Sequence, residues 1–270
     1  MKAEMINEVA ERLGAEVQTV NKNGIDKVAI CVREGKVGVN IYAEQIEADT
    51  VPEAVDKITE IVDAHRADMQ RMGGLTDALN NFESVKSMLR ARLYHKDIPY
   101  EVKRSAKKYG FDDLIIVPYI DIENDPVNGS ASARVNKKML ENWEVTAKEV
   151  IDIALENTAE RTKISSLMET IQLMLGNTDG FPDMGLPNEF VVTTDGNTFG
   201  AAGILSKIDY FKNILPNGFY VLPSSVHEVL VHAATGDENE QEALTKMVQD
   251  VNRTTVDPEE KLADKAYAFI

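Results

Sequence analysis

The stretch from Phe219 to His232 reads FYVLPSSVHEVLVH, and its interpretation decides the fold. Two runs rich in Val, Leu and aromatic residues flank Pro223, Ser224 and Ser225. Such residues suit a pleated surface, and runs without strict polar alternation belong to strands covered on both faces. Two buried strands joined at a Pro-Ser-Ser break are therefore expected. Within that break a hydroxyl pair, the imidazole of His227 and the carboxylate of Glu228 crowd together inside what composition marks as core.

Working outward, Phe190 to Thr194, a turn at Asp195-Gly196-Asn197 and Phe199 to Leu205 predict a hairpin ahead of a helix over 208–215. Gly200 and Gly203 fall within the second strand of that hairpin on this reading, where small residues suit close packing. Beyond His232, an acidic helix is expected over 238–251, followed by a last apolar segment at 267–270. Near the other end, Met5, Ile6, Val9, Ala10 and Leu13 share one helix face, with Gly14 as its stop. Val17 to Val20, Ile25 to Arg33 and Val37 to Ala43, separated by Asn23-Gly24 and Glu34-Gly35-Lys36, predict a three-stranded antiparallel meander. Thr50, Pro52 and Glu53 open a long helix that Gly73-Gly74 is expected to close. His65 lies near its apolar stripe and reads as a packed or half-exposed imidazole.

The pattern from Leu75 to Leu93 is helical, broken at Asn80-Asn81. Asp113 to Ile122 has the density of a central strand, with Pro118 limiting hydrogen bonding on one side or marking a bulge. Asn128-Gly129 turns it into a second hairpin. Helices follow around Trp143 and after Thr146, and a third is expected along Ile164, Leu167, Met168, Ile171, Met174 and Leu175. Residues 178–188 form the clearest loop. The sum is an α+β protein of antiparallel hairpins and meanders with packed helices, in two intimately connected lobes, 1–180 and 181–270.

Composition restricts the chemistry. The 270 residues are 43% apolar with 9 prolines and 16 glycines, the balance of a globular chain. Forty-five acids against 29 bases give a net charge of −16, which opposes direct nucleic-acid binding and favours a protein partner. Acidic mimicry of nucleic acid is an alternative reading of the same charge. The single cysteine, Cys31, sits in an apolar run and excludes intrachain disulfides and multi-cysteine metal sites. No apolar run reaches the ~18 residues of a membrane span, and a cytoplasmic location is expected. The one locally basic region contains Arg90, Arg92, His95, Lys96, Lys103, Arg104, Lys107 and Lys108, and is expected to pair with the acidic remainder.

No cofactor motif is present: there is neither GxGxxG after a strand nor GxxxxGK[ST]. His227 and His232 are five residues apart, which places them on opposite faces of a strand or about 140° apart on a helix, so they do not form a zinc pair. Asp121, Glu123 and Asp125 alternate at a strand end and give only a weak cation signal. The catalytic candidates are Ser224, Ser225, His227 and Glu228, with Asp195 as a third group in a hydrolase-like arrangement. Against them, no glycine-flanked nucleophile elbow is present, and Ser224 and Ser225 suit backbone capping beside Pro223.

The order Phe199-Gly200-Ala201-Ala202, then Leu222-Pro223-Ser224-Ser225, His227-Glu228-Val229 and Val251-Asn252-Arg253-Thr254 resembles the C-terminal signature of a bacterial family of unknown function. Leu140, Trp143 and Ala154 to Thr158 resemble its middle, and the chain is distantly similar to YtpQ-like proteins. The resemblance implies a cytoplasmic protein of bacteria and their mobile elements, and brings no catalytic residue. A non-enzymatic protein-binding or regulatory protein, encoded by a phage or mobile element and acting on a host protein, is the leading expectation. A hydrolase or small-ligand enzyme using Ser225 and His227 is the alternative.

Overall fold

The computed structural model describes residues 1–22, 24–34, 37–125, 129–174 and 189–270. It is an α+β fold with several antiparallel sheets, in two compact units, Met1–Ser84 and Val85–Ile270.

In the first unit α1 (Ile6–Leu13) ends at Gly14, whose φ of +62° closes the helix in the left-handed region. The meander follows as β1 (Glu16–Lys22), β2 (Ile25–Glu34) and β3 (Val37–Tyr42), paired in that order. α2 (Val51–Leu79) covers it and runs through Gly73-Gly74 instead of stopping there. Val9 and Ala10 of α1, Ile30 and Ile41 of the sheet, and Ala54, Ile58 and Val62 of α2 form one core. The i, i+4, i+8 spacing on α2 puts its three residues on one face. Glu53 N–H donates to Thr50 Oγ1 and the Glu53 carboxylate accepts from Asp49 N–H, so the helix start is capped in both directions. His65 is exposed, with Nδ1 2.7 Å from the Ile61 carbonyl.

After the short α3 (Phe82–Val85), the second unit opens on β4 (Leu89–His95), where the sequence pattern predicts helix. Leu, Arg and Ala are strong helix formers, but all seven residues of β4 pair with Leu114–Ile120, and this tertiary pairing prevails. β5 (Arg104–Ser105), β6 (Leu114–Asp125) and β7 (Gly129–Arg134) complete a four-stranded sheet centred on β6. β5 pairs with Ile115–Ile116 and β7 with Tyr119–Asp125, both on the edge of β6 away from β4. Pro118 falls at the gap between them, where its missing N–H leaves no rung of the ladder broken.

α4 (Lys137–Trp143) and α5 (Ala147–Glu160) have Asn136 and Thr146 as N-caps, each accepting a backbone N–H three residues on. β8 (Thr162–Ser166) precedes α6 (Leu167–Met174), so Ile164 lies in a strand and the expected helix begins three residues later. β9 (Glu189–Thr194) pairs with β8 on one side and with a later strand on the other. This pairing joins residues on either side of position 180 in one sheet. The compact units accordingly divide at Ser84, and not at the 1–180 and 181–270 lobes expected from the sequence. The expected loop 178–188 lies outside the described residues.

Gly200–Ser206 is a 3-10 helix, not the returning strand of a hairpin. A Cβ at Gly200 would press on the Thr194 backbone nitrogen and lie 2.5 Å from Thr193 Oγ1, so only glycine lets the chain turn this close to β9. α7 (Ile208–Ile214), β10 (Phe219–Leu222), β11 (Val229–Ala233), α8 (Glu240–Thr254) and β12 (Tyr267–Phe269) complete the unit. The second sheet has the order β12-β10-β11-β9-β8, antiparallel throughout. β10 and β11 are the two strands flanking the Pro-Ser-Ser break. Phe219 is fully buried and stacks on Phe269 at 4.9 Å, and burying a side chain of this size contributes about 1.5–3 kcal/mol.

Candidate functional site

The sequence-derived candidates are distributed as follows. The Pro-Ser-Ser break pairs with residues 260–263: Val226 N–H donates to the Glu260 carbonyl, Leu262 N–H to that of Ser224, and Ala263 N–H to that of Pro223. Ser225 Oγ accepts the backbone N–H of His227 at 3.1 Å. Both ring nitrogens of His227 are directed elsewhere. Nδ1 accepts the backbone N–H of Phe199 at 3.1 Å, which makes it the unprotonated nitrogen, and Nε2 lies 3.2 Å from Glu260 Oε1. The serine and the imidazole thus meet only through the backbone. Glu228 lines a groove with Lys163 and Thr193 beside β8 and β9. Asp195 joins Arg161: guanidinium Nε lies 2.8 and 3.0 Å from its two oxygens, and Asp195 N–H donates to the Arg161 carbonyl.

That last pair belongs to a different site, which grows out of β4. Side chains alternate along a strand, so Arg90 and Arg92 share one face. Arg92 is buried, at 5% exposure. Its guanidinium carbon lies 4.1 Å from the ring centre of Tyr119 and 3.7 Å from that of Phe199, and a terminal nitrogen donates to Asp121 Oδ1 at 2.9 Å. Two aromatic rings and one carboxylate thus hold a buried cation, while its Nε–H has no acceptor among the described residues. Arg90 donates to the carbonyls of Ser87 and Leu89, and its Nε–H likewise has no acceptor among the described residues. Burial lowers the pKa of Arg90, with the charge of Arg161 next, against the opposite pull of Asp121 and Asp195. The guanidinium remains charged, and the shift expresses what holding that charge there costs.

Arg161 enters from the C-terminal end of α5. Thr158, one turn earlier, accepts the Ala91 N–H of β4 and donates to the Ala154 carbonyl, fixing the helix end against the strand edge. The three arginines, Asp121, Asp195 and Phe199 line one cavity. Its volume is ≈ 20 Å³ in the measure by which a single water needs about 10–15 Å³. That is room for one small polar group and not for a nucleotide.

Phe199 forms one wall under backbone strain. Its φ of +51° is in the left-handed region, an outlier for a bulky residue that costs on the order of 1–3 kcal/mol. The bond to His227 Nδ1, a ring contact with His227 at 4.9 Å and the Gly200 N–H to the His227 carbonyl hold it there. The stretch first singled out for catalysis therefore positions a wall of the arginine pocket.

The sequence pattern puts Arg90 and Arg92 in a basic region but on a helix, and Asp195 in a turn as the third group for Ser225 and His227, whereas the structure sets all three in the arginine pocket. Arg161 was not singled out, because one basic residue at a helix end is ordinary. Elsewhere in the basic region, Arg104 pairs with Asp152, and His95 Nδ1 lies 3.2 Å from Asp97. His232 is held between two carboxylates, Nδ1 2.9 Å from Glu189 and Nε2 3.1 Å from Glu240. Among the described residues, no three His, Cys, Asp or Glu side chains gather to hold a metal ion, and no helix is long and apolar enough to cross a membrane. Asp121 of the acidic strand end pairs with Arg92, while the side chains of Glu123 and Asp125 lie outside the described residues.

Fold and site together define an α+β protein with a small, arginine-lined polar pocket. The chain belongs to a family of unknown function, DUF5688, whose model matches residues 1–270. No curated protein and no solved structure matches it.

Proposed function

We propose that this protein is a non-enzymatic binding or regulatory protein, and that it recognises an anionic group in the pocket of Arg90, Arg92 and Arg161. The observation that carries this reading is Arg92, a buried cation whose Nε–H lacks an acceptor among the described residues, fixed beside two further guanidiniums in a chain of net charge −16. Buried donors are normally satisfied, and preorganised arginines serve recognition of oxyanions. A protein partner and a cytoplasmic location suit the acidic composition and the single, buried Cys31. Action on a host protein by a phage- or mobile-element-encoded chain rests on the resemblance of the C-terminal signature alone.

The test is a titration of labelled protein with acetate and with phosphate at constant ionic strength, following the backbone amides of Ala91, Arg92 and Phe199. Saturable shifts with at least one of these anions, absent with chloride, are expected. Linear, salt-like drift with both would defeat the proposal.

The hydrolase alternative draws on Ser225 and His227. It requires the imidazole to leave the Phe199 N–H and turn to a hydroxyl that already accepts the His227 N–H. The binding reading needs no such rearrangement.

A further inference from the structure

We infer that the group taken by the arginine pocket is a carboxylate carrying one negative charge, and not a phosphate or sulfate. The inference rests on the anion-binding reading above and specifies its ligand.

The charge around the cavity selects the valence. Among the residues that line the cavity, three guanidiniums, Arg90, Arg92 and Arg161, face two carboxylates, Asp121 and Asp195, a surplus of one positive charge in the lining, with Glu160 the further anion that acts on Arg90 from outside it. Asp121 is committed to Arg92 at 2.9 Å, and Asp195 is committed to Arg161 through both of its oxygens. Among the described residues Arg90 donates to backbone carbonyls and has no carboxylate bonded to it, so the surplus charge of the lining resides there, next to the repelling Arg161. One monoanion neutralises the site. A dianion brings a second negative charge against Asp121 and Asp195, and the repulsion is felt most at Asp121, the less exposed of the two beside the buried Arg92.

Shape is compatible with this class, while charge carries the selection. The cavity takes one small group, and the two oxygens of a planar carboxylate match the fork of a guanidinium, as two phosphate oxygens also do. Phe199 and Ala91 offer apolar surface to the carbon that bears the carboxylate. That carboxylate is either a free small organic acid or the terminus of a partner polypeptide. The chemistry is shared, and the experiment separates the two.

The experiment titrates the intact labelled chain at pH 7.5, where phosphate is mostly dianionic, with acetate, phosphate, an N-acetylated tetraglycine with a free carboxylate, and the same peptide amidated. Ionic strength is fixed with sodium chloride, and the Ala91, Arg92 and Phe199 amides are followed. Acetate is expected to bind about tenfold more tightly than phosphate, the discrimination given by one unfavourable charge contact. A free-carboxylate peptide that binds more tightly than acetate assigns a polypeptide terminus, and equal or weaker peptide binding assigns a free acid. The amidated peptide is expected to be silent.

Asp195→Asn is the decisive variant, since it adds a unit of positive charge without emptying the site. It is expected to narrow or reverse the preference over phosphate, whereas Arg90→Gln, checked for an unchanged amide spectrum elsewhere, is expected to weaken acetate by about tenfold. Phosphate equal to or tighter than acetate in the unmodified protein overturns the carboxylate assignment and leaves the anion-binding reading standing. An unchanged ratio in Asp195→Asn does the same. Saturation by neither anion overturns both.

Discussion

His227 and His232 come from one hairpin, five residues apart, yet different groups reach their ring nitrogens. The ring of His227 accepts a backbone N–H at Nδ1, so that nitrogen must be bare. The ring of His232 faces a carboxylate on each side, Glu189 at Nδ1 and Glu240 at Nε2. The first is a spacer that holds Phe199 against Arg92, and the second is a polar tie between β9, β11 and the start of α8. The identity of a histidine in a sequence therefore says little about its role, because the role is decided by the group that reaches each nitrogen.

The strongest disruption of the His227 side is Gly200→Ala. The new methyl meets the backbone of β9 while Gly200 N–H is bound to the His227 carbonyl, so the strand or the 3-10 helix must shift. A loss of about 3 kcal/mol is expected, visible as a lower urea midpoint with an unchanged slope. Stability within ~0.5 kcal/mol of the unmodified protein would show that the close approach is dispensable.

On the His232 side the expected effect is next in size. Glu240→Ala removes the acceptor of the Thr235 N–H, the Thr235 hydroxyl and His232 Nε2, and about 2–3 kcal/mol should be lost. The same carboxylate predicts a pH dependence. Burial raises its pKa, but the hydrogen bonds from Thr235 and His232 outweigh that effect and the net value is lowered below 4.5. A depressed carboxylate stabilises fully above its unfolded value and loses that contribution as the pH falls through its folded value. Melting curves in acid should therefore show a steeper decline below pH 4.5 for the unmodified protein than for Glu240→Gln. Equal slopes would contradict the assignment.

His227→Ala comes third, with about 1–2 kcal/mol from the orphaned Phe199 N–H and the lost ring contact. Its sharper signature is positional: the Phe199 and Arg92 resonances should move, whereas in Glu240→Ala they should not. Ser225→Ala is the mildest, at about 0.5–1 kcal/mol, since one hydroxyl acceptor for the His227 N–H is removed. A fluorophosphonate probe should leave Ser225 unlabelled in the unmodified protein, and stoichiometric labelling there would restore the hydrolase reading.

How much of this was legible beforehand depends on whether a residue answers to its neighbours in sequence or in space. The meander, α1, β6 with β7, and the strands around Pro223 follow from local periodicity and turn residues. β4 does not: Leu89 to His95 has helical propensity, and only pairing with β6 makes it a strand. Gly200 to Ser206 was misassigned because small and branched residues fit a strand equally well, and the deciding contact is with Thr193 and Thr194. The arginine pocket shares that dependence. Arg90 and Arg92 reach Arg161 and Asp195 only after β4, α5 and β9 have assembled, so nothing in their spacing along the chain marks a site.

The pairing of β12 with β10 also orders events during synthesis. Phe219 is matched to Phe269, about fifty residues downstream, and Tyr267 reaches back to the Asp113 carboxylate. β10 and β11 adjoin in the sequence, but the outer edge of β10 has no partner until Tyr267–Phe269 have been made. Throughout that interval the nascent chain displays an apolar, unpaired strand edge, the kind of template on which a second chain can dock. Slowing translation between β10 and β12 should therefore cost soluble yield more than an equal delay placed ahead of β10.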